Sequence, residues 1–131
     1  MAHFIVEYSA NLRFELDVPA LLKSMHGAIM ETGMFPIGGV RLRAVRCEEF
    51  LAGDGDPDIC FVHVTVKMGH GRTLEARKAA GEKIFGAICE FLAPIYKSRP
   101  MGISMEITEL NPDLNFKVNN VHDWLKAREK D

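Results

Sequence analysis

The sequence lacks the features that mark membrane and secreted proteins. No apolar run approaches the roughly 20 residues that a membrane-spanning helix requires, and no signal peptide is recognisable at the start. The cysteines are three in number, Cys47, Cys60 and Cys89, and form no C-x-x-C pair. An odd number of scattered thiols argues against a disulfide framework and is typical of a reducing compartment. We therefore predict a cytoplasmic protein with no membrane partner.

The chain also lacks an excess of charge of one sign. Its 16 lysines and arginines are set against 18 aspartates and glutamates, so the formal net charge is −2. Nucleic-acid-binding domains usually carry a basic surplus, so we expect no nucleic-acid partner. Any anionic ligand must instead meet a local cluster of cations. With 131 residues, 47% of them hydrophobic and 26% charged, the chain is expected to form a single globular domain over 1–131.

The common catalytic and metal-binding motifs are absent. There is no G-x-S-x-G nucleophile elbow, no Walker motif and no dinucleotide fingerprint. The series Asp54, Asp56, Asp58 begins like a calcium loop, but Ile59 replaces the glycine at loop position 6 and Thr65 the glutamate at position 12. The histidines lack the spacing of metal ligands: His3, His26, His63, His70 and His122. The sequence therefore predicts neither a metal site nor a cofactor site.

What is present is a repeated alternation of strand and helix patterns. Apolar and polar residues alternate as in strands over 3–8, 40–47, 60–68 and around 103–107. Two amphipathic helix patterns lie between them, one from the predicted cap Asp17 to Gly33 and one after the turn 69–73. Gly53–Pro57 is the strongest turn signal and separates two β-α-β pseudo-repeats, about 1–53 and 57–111. The remaining segment, about 112–131, is predicted to be an oligomerisation arm.

This order predicts an α+β fold, a tandem β-α-β duplication with a four-stranded mixed sheet. The strands within each β-α-β unit should be parallel, with a right-handed crossover, and two helices can cover only one face of the sheet. Ile5 and Phe61 add apolar side chains to the face without helices. A sheet that is apolar on both faces suggests burial by other subunits. We therefore expect an oligomer.

The first strand begins so near the terminus that it should carry the α-amino group into the sheet. Such an amine has a pKa of about 7.7–8.0, which an apolar cleft would lower, leaving it able to accept a proton near pH 7. Arg41 and Arg43 share one face of the second strand, and Arg72 follows a glycine turn at a helix start, where anions are favoured. Taken alone, Arg41 and Arg43 are better explained as solvated charges at a strand edge than as a carboxylate clamp. Arg72 is explained equally well by a structural role and by anion binding.

Several longer blocks of the chain resemble a known family. They are residues 3–9, 32–36, 40–43, 61–67, 71–75 and 114–122, which read HFIVEYS, TGMFP, VRLR, FVHVTVK, GRTLE and LNFKVNNVH. These blocks are similar to the 5-carboxymethyl-2-hydroxymuconate Δ-isomerase family of the tautomerase superfamily, which also contains 4-oxalocrotonate tautomerase. The resemblance extends from position 2 to about Leu125.

The resemblance implies a homotrimer, no cofactor, and an isomerase of homoprotocatechuate breakdown that acts on a small polycarboxylate. The family's general base is an N-terminal proline, whose amine moves a proton between the 2-hydroxyl end and a carbon of the conjugated muconate. That position is Ala2 in this chain. Arg41 and Arg72 match the family's catalytic arginines, Arg43 is a weaker candidate for substrate binding, and Phe35 would make the pocket apolar.

The alanine departs from the family pattern. A primary amine on Ala2 can act as a base but is less constrained than a proline ring, and while Met1 is retained the nitrogen of Ala2 is an amide. A family member with weakened catalysis is therefore one alternative. A related hydration or dehalogenation of an unsaturated acid at the same site is another. The element order also fits a ferredoxin-like binding module, but Phe61 is the only candidate stacking aromatic on the third strand and the net charge is negative.

Overall fold

The computed structural model of the chain describes residues 1–129. The order of its elements is β1 (Ala2–Ser9), α1 (Val18–Glu31), β2 (Val40–Cys47), β3 (Cys60–Met68), α2 (Leu74–Ser98), β4 (Met101–Glu109) and α3 (Val121–Glu129). Two short 3-10 helices, Ala10–Leu12 and Ile37–Gly39, follow β1 and precede β2. The predicted alternation of strands and helices is confirmed. The helix α3 was not predicted, and it lies within the segment expected only to be an arm.

The four strands form one mixed sheet in the order β2-β1-β3-β4. β1 is parallel to β2, and β3 is parallel to β4, as the β-α-β pattern predicts. β1 and β3 are antiparallel, with His3 opposite Lys67. Since Ala2 lies opposite Val40, β1 and β2 begin, and β3 ends, at the same edge of the sheet. The loops at this edge are therefore close to the N terminus.

Local sequence signals set the ends of the two long helices. Asp17 caps α1, and its carboxylate accepts a hydrogen bond of 3.1 Å from the backbone N–H three residues further on. The helix ends before Gly33, whose φ of 70° favours glycine. Thr73 caps α2 through its hydroxyl oxygen, again at a distance of 3.1 Å. α2 then continues past Pro94 to Ser98.

The two long helices cover one face of the sheet and bury its apolar side chains. Alternate residues of β1 and β3 are buried there: Phe4, Val6, Tyr8, Val62, Val64 and Val66. They belong to one core with the apolar faces of α1 and α2, which contribute Leu21, Met25, Ile29, Ile84, Ile88 and Leu92. Burying a side chain of this size contributes about 1.5–3 kcal/mol. This layer therefore holds the sheet edge and its loops in place.

The opposite face of the sheet is mainly polar, so the expectation of two apolar faces is wrong. The larger apolar side chains on it are Ile5, Val45 and Phe61, and their neighbours are hydrophilic: His3, Glu7, Arg43, His63, Thr65, Lys67, Ser104 and Glu106. Every second residue of each strand points to this face, and most of those residues are hydrophilic. The expectation rested on two residues and did not weigh the contribution of the edge strands.

Candidate active site

A pocket of about 310 Å³ opens at the sheet edge where β1 and β2 begin and β3 ends. Its walls come from the N terminus, the loop after α1, the turn between β3 and α2, and the C-terminal segment. The lining residues are Met1, Ala2, Phe35, Pro36, Gly39, Gly69, His70, Arg72, Lys117 and His122. Segments that are far apart in the sequence therefore meet at the start of the chain.

Two larger hollows, of about 410 and 490 Å³, lie along α2 beside the edge strand β4. Apolar side chains make up much of their lining, and Phe85 belongs to both. In the first of them Arg77 is paired with Glu109 at 3.4 Å. The smaller pocket is the one that brings an α-amine together with several cations, so we take it as the candidate active site.

The α-amino group of Met1 lies in this pocket. Gly39 packs against it, since a Cβ at that position would lie 3.5 Å from the Met1 Cα. Burial lowers the pKa of the amine below its ordinary value, and the positive charges of Lys117, Arg72 and Arg41 lower that pKa further. The amine therefore loses its proton more readily than a free α-amine, which suits it to act as a base near neutral pH.

Ala2, the position matched to the family's proline, also lines the pocket. It is buried, with 6% of its surface exposed, and it pairs with Val40 as the first residue of β1. With Met1 attached, the nitrogen of Ala2 is a backbone amide and the free amine is one residue further along. The two positions are separated by about 3.8 Å between Cα atoms.

Arg72 enters the pocket from the turn between β3 and α2, next to Gly71 at φ 117°, a value that favours glycine. Its guanidinium donates to the carbonyl oxygens of Met34 at 2.8 Å and Gly69 at 3.3 Å, and it lies 5.1 Å from the centre of the Phe35 ring. Within residues 1–129 no carboxylate forms an ion pair with it. A guanidinium has five N–H donors, so donors remain for an anionic ligand.

Arg41 lies close to the pocket but is not among its lining residues. Its Nη1 donates to the carbonyl oxygens of Gly38 at 3.0 Å and Val40 at 3.1 Å, and its Nη2 donates to Asn119 Oδ1 at 3.3 Å. These bonds connect the 3-10 helix before β2 to the C-terminal segment. In this structure Arg41 supports the wall of the pocket, and its predicted contact with substrate stays a prediction.

Arg43 also lies outside the pocket lining, on the polar face of the sheet. Its Nη1 donates to His3 Nδ1 at 3.1 Å. Burial lowers the pKa of His3, and the charges of Arg43 and the N terminus lower that pKa further. Arg43 is thus engaged by a neutral imidazole, and its predicted role in substrate binding stays a prediction.

Sequence reasoning missed the contribution of the C-terminal segment to the pocket. Lys117 and His122 line it, and Asn119 holds the segment by donating to the carbonyl oxygen of Gly38 at 3.0 Å. His122 packs on Gly38, where a Cβ would lie 2.5 Å from its Nδ1. The residues belong to the block LNFKVNNVH that carries the family resemblance, and that block was the available signal. His70, in the turn before α2, also lines the pocket.

None of the helices within residues 1–129 has the length and apolar character needed to cross a membrane.

Comparison with known proteins gives consistent matches. A family model described as 5-carboxymethyl-2-hydroxymuconate isomerase matches residues 2–125. A curated 5-carboxymethyl-2-hydroxymuconate Delta-isomerase from Escherichia coli is 44% identical over 126 residues, which cover 96% of this chain and 100% of the relative. A solved 5-carboxymethyl-2-hydroxymuconate isomerase from Deinococcus radiodurans R1 is 32% identical, with a TM-score of 0.89 over 95% of this chain and 93% of that one. A second solved structure, of a 5-carboxymethyl-2-hydroxymuconate delta-isomerase, is 27% identical with a TM-score of 0.88 and the same coverage.

A more distant match concerns the fold alone. A solved symmetric trimer of fused 4-OT is 18% identical, with a TM-score of 0.57 over 88% of this chain and 90% of that one. The predicted tautomerase-like arrangement of strands and helices is confirmed by this likeness and by the two closer structures. Because the family model spans nearly the whole chain and the curated relative is similar along its full length, this chain belongs to the 5-carboxymethyl-2-hydroxymuconate isomerase family.

Proposed function

We propose that this protein is an isomerase that converts 5-carboxymethyl-2-hydroxymuconate to its 2-oxo isomer without a cofactor. The observation that carries the proposal is the meeting of an α-amine of lowered pKa with the cations Arg72 and Lys117 in one pocket. The substrate bears three carboxylates and an enol. A base and a cluster of cations are the two things that its isomerisation requires. The names of the relatives support the same assignment.

The reaction is a proton transfer along a conjugated chain. The amine takes the proton of the 2-hydroxyl group, and the electrons of the O–H bond form the 2-oxo group. The double bonds shift, and the ammonium returns the proton to a carbon of the chain. No atoms are gained or lost. Arg72 stabilises the negative charge that develops on the oxygen, since a fixed cation in a partly enclosed site acts strongly on such a charge.

We further propose that the base is the α-amine of Ala2, after removal of Met1. Ala2 is the first residue of β1, is buried and lines the pocket. Its nitrogen would be positioned by the sheet, whereas the amine of Met1 is carried by a residue that precedes the strand. The catalytic set would then be Ala2 with Arg72, supported by Arg41, and with Phe35 supplying the apolar wall.

The test is turnover of purified protein whose N terminus has been defined by intact-mass spectrometry. 5-Carboxymethyl-2-hydroxymuconate and 3-haloacrylates are supplied in parallel, and the loss of conjugated ultraviolet absorbance is followed. We expect conversion of the muconate. Turnover of the halo-acids alone would instead favour the runner-up, a hydratase or dehalogenase built on the same site, and no turnover of either would favour a member with weakened catalysis.

We also propose that the protein assembles as a homotrimer and works in the cytoplasm, in the breakdown of homoprotocatechuate. The support for assembly is the exposure of large apolar side chains in the C-terminal segment, where Phe116 is 87%, Val118 99% and Trp124 69% exposed. The three unpaired cysteines agree with a reducing compartment. Light scattering gives the test of assembly, and a monomer would contradict the trimer and favour a ferredoxin-like binding module.

A further inference from the structure

Lys117 belongs to the cation cluster of the pocket, but neither the sequence motifs nor the steps of the proposed reaction give it a contact of its own with the substrate. It lies in the C-terminal segment and lines the pocket together with Met1, Phe35 and Arg72. Its ammonium is near enough to the N-terminal amine to be the strongest of the charges acting on that group. Arg72 comes from the turn before α2, so the two cations reach the pocket from different segments of the chain.

The segment that carries Lys117 is fixed in place by its neighbours. Asn119 donates to the carbonyl oxygen of Gly38 at 3.0 Å, accepts from Arg41 at 3.3 Å, and accepts from the backbone N–H of Val121 at 3.0 Å. The side-chain amide of Asn119 makes all three bonds. It therefore holds the chain two residues after Lys117 against the residues at the start of β2. Lys117 is therefore presented to the pocket by an anchored stretch.

The cations of the pocket lack partners of opposite charge. Within the described residues, neither Lys117 nor Arg72 forms an ion pair. Other cations of the chain are paired, as in Arg99 with Glu15 and Lys83 with Glu31. Two unpaired cations around one small cavity repel each other, and an anion that enters between them relieves the repulsion. The pocket is thus prepared for a ligand with more than one negative charge.

The two cations differ in the kind of carboxylate that they suit. Two carbonyl oxygens and the Phe35 ring hold the guanidinium of Arg72 in place. This planar, fixed group suits a carboxylate at the rigid end of a conjugated chain. Lys117 is exposed and has a long, flexible stem that can follow a carboxylate on a rotating side branch. Arg41 is committed to Gly38, Val40 and Asn119. Lys117 is therefore the cation available for a side branch.

Resting on the proposed isomerase function, we propose that Lys117 is a specificity-determining residue: it binds the carboxylate of the carboxymethyl branch and so selects a tricarboxylate over an unbranched dicarboxylate. The C-terminal segment then acts as a selectivity element of the pocket. The substrate group that Lys117 recognises is the third carboxylate. Lys117 does not take the proton in the reaction, and its effect falls mainly on KM.

The experiment compares Lys117→Gln, Lys117→Arg and Lys126→Gln with the parent protein. Lys126 lies in the last turn of α3, outside the pocket lining, so Lys126→Gln controls for the loss of one positive charge from the same segment. Each protein is given 5-carboxymethyl-2-hydroxymuconate and 2-hydroxymuconate, which lacks the branch. The measured quantity is the ratio of kcat/KM for the two substrates.

We expect Lys117→Gln to lower that ratio about tenfold or more, through KM for the branched substrate, as the loss of a charged hydrogen bond implies. Lys117→Arg should keep most of the preference, and Lys126→Gln all of it. An unchanged ratio in Lys117→Gln, or an equal loss for both substrates, would overturn the inference while leaving the proposed function intact.

A binding measurement separates this inference from the proposed function. Tricarballylate, an unreactive tricarboxylate, and glutarate, an unreactive dicarboxylate, are titrated calorimetrically into the parent protein and Lys117→Gln. We expect the parent to prefer tricarballylate and the variant to lose that preference. If the parent protein turns over neither muconate, the proposed function fails, yet this titration still decides whether Lys117 selects a third carboxylate. If the parent protein and Lys117→Gln prefer tricarballylate over glutarate to the same degree, the inference is overturned.

Discussion

The guanidinium of Arg72 lies over the ring of Phe35, with its central carbon 5.1 Å from the ring centre. Phe35 is 5% exposed and makes an edge-on contact with Phe4, the two ring centres being 5.4 Å apart. The cation of the pocket is thus seated on an aromatic ring that belongs to the core. Cation–π contacts of this kind contribute about 0.5–2 kcal/mol, and here the contact also fixes the direction of the guanidinium.

Replacement of Arg72 should therefore impair catalysis more than replacement of a surface arginine. We expect Arg72→Ala to lower kcat/KM about tenfold or more, because a charged hydrogen bond to substrate is worth on the order of 1.5–3 kcal/mol. Arg46→Ala is the matched control, since Arg46 is exposed and, within residues 1–129, forms an ion pair only with Glu48. Thermal unfolding of both variants checks that they are folded. Equal effects on kcat/KM would mean that the active site lies elsewhere.

The fold could be predicted from the sequence because its signals are local. The caps Asp17 and Thr73, the positive φ of Gly33 and the alternation in β3 each depend on neighbouring residues, and together they determine the element order. The polar face of the sheet was misjudged because the expectation weighed Ile5 and Phe61 and not the hydrophilic residues that alternate with them in the same strands, such as Glu7 and Thr65. The edge strands β2 and β4 add Arg43, Ser104 and Glu106.

The site was predicted less completely because its residues come from segments that are far apart in the sequence. Arg72 could be found because a glycine turn before a helix is a local signal for anion binding. Lys117 was missed although it lies in the block LNFKVNNVH, since its segment is placed at the pocket by a contact between Asn119 and Gly38, which are 81 positions apart. A contact over this separation leaves no periodic pattern of apolar residues in the sequence. Arg41 and Arg43 were identified by type and spacing, but their hydrogen-bond partners, Asn119 and His3, became known only from the fold.

Two glycines of α2 should respond differently to replacement by alanine. A Cβ at Gly81 would lie 2.8 Å from Ile107 Cδ1, whereas a Cβ at Gly86 would have nothing within 4 Å. Gly86→Ala should raise the free energy of unfolding by about 0.5–1 kcal/mol, as expected for a helix interior. In Gly81→Ala the end of the Ile107 side chain has to shift, so the gain should be smaller. Urea denaturation measures both variants, and equal stabilisation would show that this shift costs nothing.

Acidification should destabilise the protein partly through His3. Burial and the neighbouring charges of Arg43, the N terminus, Arg41 and Lys67 hold the pKa of His3 below its ordinary value. The unfolded chain therefore binds a proton at higher pH than the folded chain, so stability falls as the pH drops through about 6.5 and continues to fall until the lowered pKa is reached.

The variant His3→Gln tests this pH dependence. The free energy of unfolding, measured in urea at about pH 7.5 and 5.5, should fall less in His3→Gln than in the parent protein. His26→Gln is the control, because His26 lies on α1 away from this face. The idea fails if the parent and His3→Gln lose the same stability on acidification.

The N terminus is expected to decide activity. Three forms are compared: the chain that retains Met1, the chain that starts at Ala2, and Ala2→Pro with Met1 removed. The form with Met1 should be slowest, because its amine is displaced by about 3.8 Å along the chain. The proline form should be fastest, since the ring fixes φ near −65° and so orients the nitrogen before substrate binds. Intact-mass spectrometry defines each terminus, and kcat/KM for 5-carboxymethyl-2-hydroxymuconate is measured.

The pH profile of these forms identifies the base. Burial and the charges of Lys117, Arg72 and Arg41 lower the pKa of the Met1 amine, and an amine on Ala2 would lie in the same pocket. The amine is active when deprotonated. We therefore expect kcat/KM to rise with pH through an apparent pKa below the ordinary range of about 7.7–8.0, and then to level off. Lys117→Gln should move that apparent pKa upward, since it removes a neighbouring positive charge. If all three N-terminal forms had equal activity and the same profile, the base would be another group of the pocket. His70, one of the two histidines that line it, would be the side chain to test next.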